Sequence, residues 1–365
     1  MYYLDANATE PLRPEARDAI CAAMDVTGNP SSVHGAGRAA RRILEDAREL
    51  LAARFGGRPG DLVFTSGGTE ADALAIHALG AGRRLIIGAT EHDAVRSAAG
   101  EGDVLPVDAN GVADLAALEA LLEETPVALV CLMLANNETG TTQPVAQAAE
   151  LCRRYGALLH VDAVQAAGRM TVSLSGLGAH SLAVSSHKLG GPPGAGALLL
   201  APEVSAIAPL IAGGGQERGR RGGTPPLPAI AGFAAASAVA YDASNLAPLR
   251  DTIEQAAMAL GAIICGGGAP RLANTTCLAL PGVRADVQVI ALDLEGFAVS
   301  AGAACSSGKV ATSHVLAAMG LGSLAGQAIR VSLPWNATAE HVGAFAAAYG
   351  RMADRLRSAL APRAA

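Results

Sequence analysis

The sequence predicts an α/β protein. A large domain carries a mostly parallel sheet covered by helices, and a smaller α+β domain follows at the C-terminal end. Three observations predict it. Short apolar runs alternate with stretches of helical periodicity over the first two hundred or so residues. Nearly every run breaks off into glycine, serine, threonine, asparagine or a charged residue, as strands do where they leave a sheet edge. The composition then changes at residues 212–228, AGGGQERGRRGGTPPLP, a loop rich in glycine, arginine and proline. At 365 residues the chain is longer than one core supports. The expected division is a large domain over 15–245 and a small one over 246–365 joined by residues 1–14.

Taken in order, residues 34–54 place Ile43, Leu44, Ala47, Leu50 and Leu51 at helical spacing, and Phe55-Gly56-Gly57 supplies a stop. The strand candidates are LVFT (62–65), RLIIGA (84–89), DVLPV (103–107), VALVCLML (127–134), ALLHVD (157–162), SLAVSS (181–186) and GALLL (196–200). Helices are expected over 69–80, 114–124 and 143–155. Past the loop, one helical stretch is expected over about 229–262. TTCLALPG (275–282), DVQVIALDLEGFAVS (286–300), AIRVSL (328–333) and a helix over about 337–359 complete the small domain.

Composition narrows the function. Apolar residues make up 51% and aromatics only 3%, so Ala, Leu, Val and Ile are expected to fill the core. A net charge of −6 argues against nucleic acid as a partner. The longest clear apolar run, VALVCLMLA (127–135), is about half of the ~20 residues that a spanning helix needs, so no membrane partner is expected. The first twenty residues show no basic segment followed by an apolar one, so the expected location is the cytoplasm. None of the six cysteines (Cys21, Cys131, Cys152, Cys265, Cys277, Cys305) forms a C-x-x-C pair, which argues against zinc and dithiol chemistry; no metal is expected. Five are expected to be buried thiols. Cys305 is set apart by its surroundings, SAGAACSSGKVATS, small polar residues with no apolar period, which read as a loop.

Parallel sheets of this kind place ligands beyond the carboxyl ends of their strands. After LVFT comes Ser66-Gly67-Gly68-Thr69, which reads as a capped turn with Thr69 as N-cap or as a phosphate cradle built on free N–H groups. After RLIIGAT comes Glu91-His92, an imidazole that ends a strand or stacks on a flat ring. After VALVCLMLA comes Asn136-Asn137-Glu138-Thr139-Gly140, a turn whose Asn137 is also a donor to a ring oxygen. After ALLHV come Asp162 and Gln165; the carboxylate caps a helix or pairs with a pyridinium nitrogen. After SLAVSS come His187 and Lys188. A lysine in a dry pocket becomes nucleophilic and forms Schiff bases, and the chain has only two lysines, Lys188 and Lys309. Each feature has an ordinary structural explanation. Together, at one sheet edge, they describe a site for pyridoxal 5′-phosphate (PLP).

These motifs resemble those of the cysteine desulfurases, in the class V aminotransferase group of fold-type I PLP enzymes. The similarity runs from YLDANAT (3–9) and GNPSSVHGAGR (28–38) through VFTSGGTEADALAI, TEHDAV, NNETG, HVDAVQ and SSHKLGGPPGAGAL. It continues to GGGQERGRRGGT (213–224), VSAGAACSSG (299–308), SHVL (313–316) and IRVSL (329–333). The resemblance implies a fold-type I PLP-dependent transferase. Lys188 would carry the cofactor, Asp162 would pair with its ring nitrogen, Gln165 and Asn137 would contact the ring oxygen, and His92 would stack on the ring. Gly68, Thr69, Ser185 and His187 would hold the phosphate. Thr224 would reach the partner's phosphate in a homodimer, and Arg330 would bind the substrate carboxylate. Cys305 would take sulfur from L-cysteine and deliver it to an acceptor protein, such as an iron–sulfur scaffold. The chain departs from many relatives in VATSHVL (310–316), in Gly222-Gly223 before Thr224, and in its short end RLRSALAPRAA, which leaves the acceptor open. Alternatives of another kind are a selenocysteine lyase, an aminotransferase, or a non-catalytic relative that serves a sulfur-transfer complex.

Overall fold

A computed structural model describes residues 1–124, 127–239, 245–302 and 312–360. The strands are β1 (Tyr2–Tyr3), β2 (Leu62–Thr65), β3 (Arg84–Gly88), β4 (Asp103–Leu105), β5 (Ala128–Cys131), β6 (Leu158–Asp162), β7 (Ser181–Ser185) and β8 (Gly196–Leu200). Then follow β9 (Ile263–Ile264), β10 (Thr275–Ala279), β11 (Phe297–Ala298), β12 (Ser300–Ala301) and β13 (Ala328–Ser332). The helices are α1 (Pro14–Met24), α2 (Gly35–Arg54), α3 (Gly68–Leu79), α4 (Asp93–Ala99), α5 (Leu115–Glu124) and α6 (Val145–Tyr155). After them come α7 (Leu174–Leu177), α8 (Leu227–Ala238), α9 (Leu246–Ala259), α10 (Ala285–Leu294), α11 (His314–Ala318) and α12 (Ala339–Leu360).

Seven strands form the main sheet in the order β2-β8-β7-β6-β5-β3-β4. Neighbours from β7 to β4 run parallel, and β8 lies antiparallel to both β7 and β2. The runs LVFT, ALVC and SLAVS are buried along their whole length, as expected for strands covered on both faces. Parallel pairing needs a helical crossover between strands, and Gly156, at φ 67°, ends α6 and turns the chain directly into β6. Because β3, β5, β6 and β7 point the same way, their following loops meet at one edge.

A second, antiparallel sheet, β12-β13-β10-β9, is built from the C-terminal third. The N-terminus joins this half: β1 pairs in parallel with β11, and Asp5 bridges to Ser332 at the end of β13. Leu4 is fully buried in the same apolar cluster as Leu278, Ile329, Phe345 and Tyr349. The few aromatics are used inside. All five phenylalanines are buried, and Tyr2, Phe297, Phe345 and Tyr349 form a chain of ring contacts in the smaller core. Among the described residues no helix is long and apolar enough to cross a membrane.

Three expectations need correction. The stretch expected as one helix over 229–262 is two, α8 and α9. Pro248 is the reason: within a continuous helix it would lack an N–H and clash with the preceding turn, whereas in the first turn of α9 it costs little. Cys21, expected to be buried, is exposed on α1, which turns Ala16 and Ala23 inward instead. Thr69 does not cap α3. The helix starts one residue earlier, with Gly67 at the cap position and Thr69 inside the first turn.

Candidate active site

A cavity of roughly 510 Å³ opens at the carboxyl edge of the main sheet. Gly68, Thr69, His92, Asn137, Asp162, Gln165, Ser185, His187, Lys188 and Arg330 all line it. The volume falls in the range of small-molecule and cofactor sites, about 300–1,000 Å³.

Asp162 ends β6 and is buried; its Oδ1 accepts from the backbone N–H of Val164 at 2.8 Å, an Asx turn that fixes the carboxyl. Burial pushes its pKa up, and the nearby Asp72 adds to the rise. Beside it lies a buried polar stack, whose Asp72 also lines the cavity. His160 Nε2 sits 3.2 Å from Asp72 Oδ1, and His160 Nδ1 sits 2.8 Å from Ser181 Oγ. Burial raises Asp72 to about 8 and lowers His160 to about 4. Near neutral pH a protonated Asp72 therefore donates to a neutral imidazole, and the stack carries no net charge under Asp162.

His92 precedes α4, and its Nδ1 accepts from the N–H of Ala94 at 3.1 Å. That bond uses the Nδ1 lone pair, so the proton of the neutral ring sits on Nε2. Lys188 lies just beyond β7. Its Nζ donates to the carbonyl oxygens of Asn7 (2.6 Å) and Ala8 (2.9 Å). His187 Nδ1 is 3.1 Å from Thr9 Oγ1, and its pKa falls to about 4 through burial, then Lys188 and Arg169.

Arg330, on β13, is 4% exposed. Its Nη2 donates to Asp5 Oδ1 at 2.7 Å and its Nη1 to the carbonyl of Asn137 at 3.1 Å. Gln165 donates to the carbonyl of Asn7 at 2.9 Å and accepts from Arg169. Thr224 is exposed and does not line the cavity of its own chain. It follows a loop pinned to α2 by a buried, two-pronged Arg48–Glu217 pair at 2.8 Å, to β2 by the N–H of Phe64 on Glu217, and to α3 by Arg221–Glu70. Cys305 lies outside the described residues. Gly302 and Thr312, on either side of 303–311, both line the cavity.

Residues 2–345 match the aminotransferase class-V family. The chain belongs to this family. Relatives that align with 99% of this chain include a cysteine desulfurase of Cereibacter sphaeroides, 42% identical over 97% of that protein. An IscS-like cysteine desulfurase of Mycobacterium tuberculosis is 38% identical over 98% of that protein. Among solved structures, a NifS-like protein from Rickettsia africae superposes with a TM-score of 0.89 at 34% identity, covering 97% of this chain and 99% of that one.

The residues that sequence reasoning passed over are those of the opposite wall of this class-V site. Asn7 and Ala8 contact Lys188, and Asp5 contacts Arg330, although all three stood inside the quoted YLDANAT motif. Glu138, buried in NNETG, accepts from Ser313 Oγ at 2.6 Å, and burial raises its pKa. His314, from SHVL, lines the cavity with Nε2 3.0 Å from the carbonyl oxygen of Glu91. A carbonyl only accepts, so that nitrogen carries a proton.

Proposed function

We propose that the chain is a PLP-dependent L-cysteine desulfurase. The observation that carries this reading is the convergence of Lys188, Asp162, His92 and Arg330 on one cavity flanked by Gly302 and Thr312. The residues fit the cofactor. Ser185 Oγ and Ser186 Oγ are buried with no hydrogen-bond partner, and Ser185 lines the cavity. A Cβ at Gly68 would stand 2.6 Å from Val164 Cγ2, so any side chain at the start of α3 would have to displace Val164. The donor set suits a phosphate, with Thr69, Ser185 and His187 around a helix N-terminus.

PLP, when bound, supplies an electron sink that makes bonds at the substrate's α- and β-carbons labile. Lys188 would hold it through Nζ and Asp162 would keep its ring nitrogen charged. Asn137 and Gln165 would face the ring oxygen. His92 would stack on the ring, with its Nε2 proton set by the turn into α4. Arg330 would bind the substrate carboxylate. Cys305 would act as the nucleophile. Its thiolate forms an S–S bond to the substrate sulfur while the substrate C–S bond breaks. The balance is L-cysteine plus enzyme thiol giving L-alanine plus enzyme persulfide, with no external oxidant.

The same proposal places the protein in the cytoplasm as a homodimer, Thr224 completing the partner's phosphate site, with the persulfide sulfur passed to an acceptor protein for iron–sulfur cluster assembly or tRNA and cofactor thiolation. The exposure of Thr224 at the end of a pinned loop supports the first part. The five described cysteines, all free, support a reducing compartment.

The test is turnover of purified, PLP-loaded protein with L-cysteine and a dithiol. Equal amounts of alanine and sulfide are expected, and Cys305→Ala should lose sulfide formation while keeping the cofactor's visible absorbance. Undiminished sulfide from Cys305→Ala removes the nucleophile. Preference for selenocysteine, or transfer of the amino group to a keto acid, would move the protein to one of the alternative activities.

A further inference from the structure

Arg330 enters the cavity already paired. A guanidinium 4% exposed requires a counter-charge, because an isolated buried cation is costly. Asp5 supplies it at 2.7 Å, from 325 positions away in sequence. The other oxygen of Asp5 accepts from Ser300 Oγ at 2.9 Å, on β12 beside β13. The backbone around Asp5 is fixed as well: Ala6 N–H donates to Ser332 at 3.1 Å, and Ser332 N–H donates to Leu4 at 2.8 Å. Asp5 is thus a counter-ion held through the backbone on either side of it and through its second carboxyl oxygen. It does not line the cavity; the guanidinium does, and its Nε is buried with no hydrogen-bond partner. The other carboxyl on this wall, Glu138, is occupied by Ser313 Oγ, and burial favours its neutral form.

A substrate carboxylate therefore meets an arginine that already carries one carboxylate. Arg330 attracts it, and Asp5, one guanidinium further back, repels it. L-Cysteine and L-alanine present the same carboxylate, so a full-strength grip would hold product as tightly as substrate and bring no gain in rate.

We propose that Asp5 is a positioning residue that keeps Arg330 aimed and partly neutralised, weakening the hold on amino-acid carboxylates so that L-alanine is released. This rests on the reading of Arg330 as the carboxylate site. Asp5→Asn separates charge from geometry, because the amide oxygen still accepts from Nη2 but carries no charge. In the PLP-loaded protein the dissociation constant for L-alanine, followed by calorimetric titration, should fall about tenfold, and KM for L-cysteine should fall with it. L-Alaninamide, which lacks the carboxylate, should bind as before. Without ligand the variant should melt at a lower temperature than the parent, and L-alanine should raise its melting point by more than it raises the parent's. A residue that only held the fold together would weaken or leave unchanged the affinity for L-alanine, and either result overturns the proposal. Should Asp5→Asn not accumulate as folded protein, Asp5→Ser carries the same expectation. Arg330→Met tells the two failures apart. If it leaves L-alanine binding intact, Arg330 is not the carboxylate site and both readings fall. If it abolishes binding while Asp5→Asn does not tighten it, only the role of Asp5 falls.

Discussion

The two walls of the cavity are built by different means. The wall from the main sheet is assembled locally. Asp162, His92, Ser185 and Lys188 each stand within a few residues of a buried strand end, and the first two are oriented by backbone N–H groups two residues on. The facing wall is assembled at long range, by side chains. Asp5 holds Arg330, Asn7 holds Thr275 at 3.0 Å and Ser313 holds Glu138, while Glu10 reaches across to Arg169 at 3.2 Å, behind Gln165 of the first wall. In the proposed function the first wall takes the cofactor and the second takes the amino acid. Topology alone fixes one, and buried polar pairs between distant segments fix the other.

Lys188 is where the walls meet, since its Nζ rests on the carbonyls of Asn7 and Ala8 while its backbone follows β7. The largest effect is expected there. Lys188→Ala should lower sulfide formation by more than about a thousandfold, since both the covalent hold and the amine's proton transfer are lost. The visible absorbance of a lysine-linked cofactor should vanish with it. Retention of that absorbance would mean that the covalent link lies elsewhere.

Glu10→Gln tests whether the second wall stands apart from the first. Glu10 and Arg169 are both buried, at 3.2 Å, and the glutamate also accepts from Trp335 N–H at 2.7 Å. The amide keeps an acceptor for Trp335 but removes the Glu10 charge beside Arg169. The expected cost is about 3 kcal/mol in urea unfolding, with a raised KM for L-cysteine. Because Arg169 also donates to Gln165, which would face the cofactor's ring oxygen, affinity for PLP should fall as well. PLP affinity changed by less than about twofold would show instead that the two walls stand apart.

The same contrast explains what the sequence disclosed. Residues at strand ends could be read because the period of apolar runs locates each strand and the next few residues must lie at the sheet edge; Asp162, His92, Asn137 and Lys188 were found that way and line one cavity. The pairing of Asp5 with Arg330 leaves no local trace, because nothing in YLDANAT announces a partner 325 residues on. The N-terminus was expected with the small domain, yet the lock of Leu4 between that core and Ser332 rests on tertiary packing. The single helix expected over 229–262 failed for a local reason, since Pro248 was there to be weighed.

The smallest effect concerns the stack beside Asp162 in the first wall, and it is read in the shape of a pH profile. Asp72 has its pKa raised to about 8 by burial, against about 3.9 in an unfolded chain. Between those values the folded state keeps a proton that the unfolded state has released, so stability falls as pH rises. His160 is lowered to about 4, against about 6.5 unfolded. Between those values the unfolded state holds the extra proton, and stability rises with pH. Of these two, the slopes oppose each other up to about pH 6.5, and from there to about pH 8 that of Asp72 continues, its share being a loss of about 2 kcal/mol at ~1.4 kcal/mol per unit. Asn at position 72 can still donate to His160 Nε2, as a protonated Asp72 does, but it does not titrate. Asp72→Asn should therefore lose this contribution and decline less steeply than the parent between about pH 6.5 and pH 8, the slope that remains belonging to the buried Asp162 and Glu91. Urea unfolding at half-unit steps from pH 4.5 to 8.5 reads both profiles. If the variant declined above pH 6.5 as steeply as the parent, the proton would belong to Asp162 or Glu91, and the charge of the first wall would be set by those carboxyls and not by the stack beside Asp162.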